Sequence, residues 1–260
     1  MVGVRALYGR FMHRATGVAI ILAVLLGGAV SAAAAPQVVV ELYTSQNCAS
    51  CMPADQLLDR LSRENGIVAL SFPVDYWDIL GWKDTLANKD NTARQKAYAG
   101  VLGRGGVYTP QIIVDGKVDA VGNRVDAVET AVRAAKREAA KSGRIAPAFA
   151  PVGGGIRLLL PKAARGKDKF PASIWLFALR RRVSVIVGGG ENKGRTLSYR
   201  NVVTAVKLVG VWKGEKMTLT VPKQFLSPPG DGLAVLVQEN AYGPVIGAAL
   251  IAIPPKSAGK

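Results

Sequence analysis

Cysteine occurs twice in the 260-residue chain, at Cys48 and Cys51, with Ala49 and Ser50 between them. Two thiols at this spacing suit half of a zinc site, a copper grip, a short structural clip or a working disulfide. A zinc site needs about four ligands, drawn mostly from sulfur and imidazole. The only histidine, His13, falls within a leader-like segment, so the remainder of the chain offers two strong ligands at most. Zinc is excluded on that count, and so is a Cys-His or Ser-His catalytic pair. Cu(I) stays open, because two thiolates with Met52 suit a soft monovalent ion. As a clip the pair is weak, since closing a ring of about four residues stabilises a chain by only ~2 kcal/mol.

The first 35 residues have the layout of a secretory signal. Arg5, Arg10 and Arg14 precede an apolar run of 16 residues, Ala15 to Val30, and Ala32 and Ala34 stand where a signal peptidase would cut before Ala35. The run is shorter than the roughly 20 residues that span a bilayer as a helix. The expectation is an exported protein of a bacterial periplasm, an oxidising compartment in which nearby thiols are paired or cycle.

The elements around the cysteines follow from periodicity. VVVELYTS (38–45) is β-branched and apolar, and reads as a buried strand. The segment after CASC carries Leu57, Leu58 and Leu61 on one helical face and stops at Gly66. A second apolar strand follows at 67–74. Strand, helix and strand with short links form a βαβ unit with parallel strands. CASC is thereby set at the carboxyl end of a strand and the amino end of a helix, and a helix start near Ser50 keeps Pro53 in the first turn. Beyond it come a helix around 89–102, a hairpin of QIIV and KVDAV turned at Asp115-Gly116, and a helix from Asp126 to Lys141.

The second half differs. IAPAFAPVGGG (145–155) reads as a linker, and short apolar runs then recur between glycines, prolines and charges. The sequence therefore predicts an α/β domain over 36–145, a linker over 146–155, a mainly antiparallel β-sandwich domain over 156–255 and a tail over 256–260. The two domains should fold separately. Charge is divided the same way: residues 35–146 carry a net +1 and residues 147–260 a net +12. Such a basic half suits an anionic membrane surface or an acidic protein, while export argues against nucleic acid.

At a strand-to-helix junction a C-x-x-C pair is a redox motif. Free N–H groups and the positive end of the helix dipole favour a thiolate there. In this reading Cys48 faces solvent and attacks, and Cys51 resolves. With no charged residue between the cysteines, the Cys48 thiol is expected to be activated below the free value of ~8.5 by the helix end alone.

VVVELYTSQNCASC, the βαβ context and VYTPQIIVDGK together resemble the thioredoxin superfamily. The resemblance implies a thioredoxin-like first domain, a cis proline at Thr109-Pro110 beside the disulfide, and a buried acid, Glu41, that takes the proton of the resolving cysteine. More narrowly, ELYTSQNCASCMPAD, VDYWDILGWKD, GVYTPQ and GENKGRTLSYRN are similar to domain-of-unknown-function group 1223. That is a group of exported proteins with a thioredoxin-like domain and a β-rich second domain. Met52 departs from that pattern where a second proline is usual, and Pro73 where a histidine is.

Asp75, Tyr76 and Trp77, with Asp78 and Trp82, follow the second strand and are candidates for a substrate rim or for pinning a long connection. Tyr108 is a candidate aromatic face beside the cysteines. No organic cofactor is expected, because GRGG (103–106) precedes no helix. The sequence thus supports a thiol–disulfide oxidoreductase or redox sensor acting on protein or small-molecule thiols and disulfides. A Cu(I)-binding protein and an interaction module with an inert disulfide are its rivals.

Overall fold

Strand β1 (Val38–Thr44) is buried along its whole length, as its β-branched sequence requires, and pairs in parallel with β2 (Ile67–Pro73) from Val38↔Ile67 to Thr44↔Pro73. The computed structural model describes residues 37–163, 171–227 and 230–253; the expected signal at 1–35 and tail at 256–260 lie outside the described residues. Between the two strands the chain makes a 3-10 turn at Ala49–Cys51 and then helix α1 (Met52–Leu61), with Pro53 in its first turn. Leu57, Leu58 and Leu61 pack on Val38, Val40 and Leu42, which places α1 on one face of β1.

Helix α2 (Lys89–Val101) is capped by the Asn88 side chain, which accepts from the Asn91 N–H at 2.9 Å. The hairpin of β3 (Gln111–Val114) and β4 (Val118–Val121) turns at Asp115 and Gly116, with φ of 53° and 68°. Both values are the positive ones that a two-residue hairpin turn needs. Gly116 is also required sterically: a Cβ there would lie 2.3 Å from the Gly243 carbonyl oxygen. Helix α3 (Val125–Ala139) joins α1 over β1 through Val128, Val132 and Ala135.

The second half is built of strands: β5 (Ala148–Val152), β6 (Gly155–Leu160), β7 (Ala172–Ile186), β8 (Thr196–Trp212), β9 (Met217–Thr220), β10 (Gly232–Glu239) and β11 (Val245–Ala252). Two expectations change here. The stretch 146–155 contains strand β5 and the start of β6, so it is paired backbone and not a linker. SIWLFAL and VSVIV, separate runs by sequence, form one 15-residue strand, because the three arginines between them continue the ladder with β8.

The halves also share structure. One mixed sheet runs β11-β10-β7-β8-β2-β1-β3-β4, while β5, β6 and β9 form a smaller second sheet. The joint between β2 and β8 has a single ladder pair, Ser71↔Val202. Side-chain amides complete it: Asn201 donates to the Ala69 carbonyl at 2.9 Å, and Asn91 donates to the carbonyls of Pro73 and Val203. Strand β10 is buried on both faces. Leu233, Val235 and Val237 face the small sheet, and Ala234 and Leu236 face a core built with Val39, Tyr43, Phe72 and Tyr98 of the first half. Phe72 and Phe177 meet edge-on across the divide at 5.8 Å. In place of a separate sandwich, the second half extends the first half's sheet and covers its other face.

Candidate functional site

Cys48 and Cys51 form a disulfide, with their Cα atoms 5.4 Å apart. The pair sits where the sequence expects it, just past the end of β1 and at the start of α1. Its environment differs from the expectation. Cys48 is 1% exposed, as buried as Cys51, and does not face solvent.

The cover is the tip of the β7–β8 hairpin, residues 187–195, which folds across the CASC turn. The Glu191 carboxylate accepts from the Ala49 N–H at 2.8 Å, and Asn192 donates to the Gln46 carbonyl at 3.0 Å. Gly190 lies so close to Asn47 that a Cβ would fall 2.1 Å from its side-chain oxygen, and Gly188 is similarly pressed against the Trp82 ring. The Arg195 guanidinium reaches the Met52 sulfur at 3.6 Å, so the thioether expected to join a Cu(I) site faces a cation. Gly188 and Gly190 of VGGGENKGR are explained by these approaches, since a side chain at either would lift the tip.

Trp82 supports the other side of the turn. Its indole donates to the Gln46 side-chain oxygen at 2.8 Å and its carbonyl accepts from Asn47 at 2.7 Å. Asp84 fixes the same loop by accepting from the Gln46 N–H at 2.7 Å, and burial raises its pKa against the opposing effect of three backbone N–H groups.

One carboxyl beside the disulfide has no counterpart in the expectations. Asp55 lies four residues after Cys51, on the same helical face, and both are buried. Its Oδ1, the Thr44 hydroxyl and the Tyr199 hydroxyl have no hydrogen-bond partner among the described residues. Burial pushes the Asp55 carboxyl well above the ordinary range, Thr44 opposes this, and the charge of Asp84 adds to it. Tyr199 is likewise raised by burial, with Asp55 and Asp84 contributing. An aspartate in a helix after C-x-x-C reads as a surface residue; the signal for its burial was its spacing from Cys51.

Glu41 requires a correction. It is fully buried, but its side chain points with Val39 and Tyr43 to the face of β1 opposite α1. There Arg94 Nε and Nη2 donate to its two oxygens at 2.6 and 3.1 Å, and the Tyr98 hydroxyl donates at 2.5 Å. The alternation of side chains along a strand puts Leu42, not Glu41, on the disulfide side. Its carboxylate is committed to an ion pair and is not a proton acceptor for Cys51. The Arg94 guanidinium also lies 5.1–5.8 Å from five aromatic rings, three of them from the second half: Trp175, Phe177 and Tyr242.

Thr109-Pro110 is cis, and Pro110 is buried. Pro110 and Ala54 of α1 meet over Gly122, where a Cβ would lie 3.0 and 3.1 Å from theirs. The proline is thus held against the helix that carries Cys51. Tyr108 turns to a different partner, donating to Asp119 at 2.6 Å, with Arg104 on the far side of that carboxylate. Of the rim candidates, Asp75 accepts from the Thr92 hydroxyl at 2.6 Å and ties down α2, while Tyr76 and Trp77 pack on the shared core. Burial pushes the Tyr76 hydroxyl up to about 12. These three pin a connection, while Trp82 bonds to Gln46 and Asn47 just before the CASC turn.

The site defines a class: a mixed α/β protein with a buried C-x-x-C disulfide at a strand-to-helix junction, closed by a hairpin from its own second half. The chain belongs to the family described as Protein of unknown function (DUF1223), whose model matches residues 39–238. It is similar to the crystal structure of protein AGR_C_4864 from Agrobacterium tumefaciens, at 33% identity and a TM-score of 0.74, over 88% of this chain and 99% of that one. HBP35 of Porphyromonas gingivalis, 12% identical with a TM-score of 0.59 over 87% of this chain and 79% of that one, shares the fold. No curated protein matches the chain.

Proposed function

We propose that the protein is an exported thiol–disulfide oxidoreductase, or a redox-sensing relative, with a thioredoxin-like first half. The observation that carries the reading is the Cys48–Cys51 disulfide at the amino end of α1 with the buried Asp55 carboxyl, one oxygen of which has no partner among the described residues, one turn further along. In the reduced protein, the Cys48 thiolate attacks a substrate disulfide. A mixed disulfide forms, and the departing substrate thiolate takes up a proton. Cys51 then gives its proton to ionised Asp55 and attacks the Cys48 sulfur. The substrate's second thiolate leaves, two electrons have passed to the substrate, and the pair is oxidised. Run backwards, the same steps oxidise a dithiol. A carboxyl whose pKa burial has raised toward that of a thiol suits this transfer, because proton exchange is fastest between groups of similar pKa.

The substrate is a protein or small-molecule thiol or disulfide, and the hairpin tip must move aside to admit it. That cover also favours a second reading, an interaction module whose disulfide is inert. Equilibration of the pair with glutathione separates the two. A midpoint between about −120 and −270 mV supports the working disulfide, and one below about −300 mV supports the inert module.

A further inference from the structure

The stem of the β7–β8 hairpin projects beyond the main sheet and, with the outer face of α1, encloses an open cleft of about 540 Å³. Asp55 and Asp59 line it from the helix, Arg63 from the turn that follows, and Arg182 and Arg200 from the hairpin. Two of the three guanidiniums here share one carboxylate. Arg200 Nε donates to Asp59 at 2.9 Å and Arg63 donates to the other Asp59 oxygen, while Arg182 pairs with no acid among the described residues. Arg60 at the mouth is offset by Glu129.

One feature is costly unless a ligand is present. Arg182 stands directly opposite Arg200 in the β7–β8 register, and like charges so placed destabilise a strand pair. We infer that the cleft binds a phosphate-class oxyanion. Asp59 neutralises one of the three arginines, and a bound anion balances positive charge that remains. Guanidinium forks match phosphate oxygens bidentately, and three forks exceed what the two oxygens of a carboxylate can use.

The site stands independently of the redox reading. Isothermal titration of the mature chain with inorganic pyrophosphate tests it, beside cosedimentation with phosphatidylglycerol and phosphatidylcholine vesicles. Saturable pyrophosphate binding, weakened roughly tenfold by Arg182→Ala and unchanged by Lys207→Ala, an exposed cation elsewhere on β8, identifies a free phosphate compound. Association with phosphatidylglycerol vesicles that Arg182→Ala weakens and Lys207→Ala does not identifies a lipid headgroup. Arg63→Gln, in the exposed turn after α1, serves the same purpose should the hairpin variant misfold. Binding of neither probe, or equal weakening by the cleft variants and Lys207→Ala, overturns the inference in favour of a diffuse basic surface.

Discussion

Glu41 and Asp55 are both buried acids close to strand β1, one on each side of it, and their surroundings differ in kind. Glu41 meets two nitrogens of Arg94 and the Tyr98 hydroxyl, inside a core that both halves of the chain supply. Asp55 has an oxygen without a partner, four residues after Cys51 of the disulfide. A buried charge held by its counter-charge is architecture, since removing either member strands the other. A buried acid left unpaired is held toward its protonated form, which is useful where protons must move. The same residue class thus performs two jobs, and the partners decide which.

The largest expected effect comes from stripping Glu41's region of its second-half partners. Residues 36–145 alone keep Asp55 and both cysteines but lose Trp175, Phe177, Gln238 and Tyr242 from around Arg94. This fragment is expected to show no cooperative unfolding transition by circular dichroism. A sharp transition like that of the longer chain would mean that the shared core is dispensable. Within the intact protein, Arg94→Met leaves the Glu41 carboxylate unpaired and is expected to cost about 3–5 kcal/mol in urea denaturation. Adding Glu41→Gln should recover much of that loss; no recovery would show that the aromatic packing of Arg94 matters more than its charge.

On the other side of β1 the effects are smaller in stability and larger in chemistry. Asp55→Asn is expected to slow release of the mixed disulfide by roughly 10²-fold in stopped-flow exchange, because a positioned base is lost. Its effect on stability depends on pH. The folded-state pKa of Asp55 is raised, so between the unfolded and folded values the native state holds a proton that the unfolded chain has released. Stability therefore falls as pH rises through that window. The asparagine variant should escape Asp55's share of the decline and keep the part due to Asp84, which burial also raises. Parallel stability–pH curves for the two proteins would refute the assignment.

The smallest change expected is at the cover. Glu191 holds an N–H at the end of the helix that would otherwise favour a Cys48 thiolate, and adds a negative charge beside it. Glu191→Gln should speed alkylation of the reduced protein by iodoacetamide roughly two- to fivefold, in line with about 0.3–1 kcal/mol for a charge at a helix terminus. An unchanged rate would separate the hairpin tip from thiol reactivity.

The elements nearest the cysteines were legible in the sequence. β1, β2, the Asp115-Gly116 hairpin and α3 have bounds within about two residues of those read from periodicity and turn residues, because their signals are local, while α1 stops at Leu61, short of the Gly66 read as its end. The position of Cys48 and Cys51 at a strand-to-helix junction followed from the same pattern. Glu41 was readable as a buried acid in an apolar strand, but Arg94, 53 residues away, was not readable as its partner. The choice between rim and pin for Asp75, Tyr76 and Trp77 was open for the same reason, since their types fit either role.

By itself the sequence determined which residues alternate, which turn and which two thiols meet, since these depend on neighbours a few positions apart. Only the tertiary structure decided that the halves share a sheet, that a hairpin from the second half covers the disulfide, and that Asp55 is the acid on Cys51's side. Periodicity records that a face is buried. It does not record what buries it, because that is a contact between segments more than a hundred residues apart, such as Ala49 with Glu191 or Asn201 with Ala69.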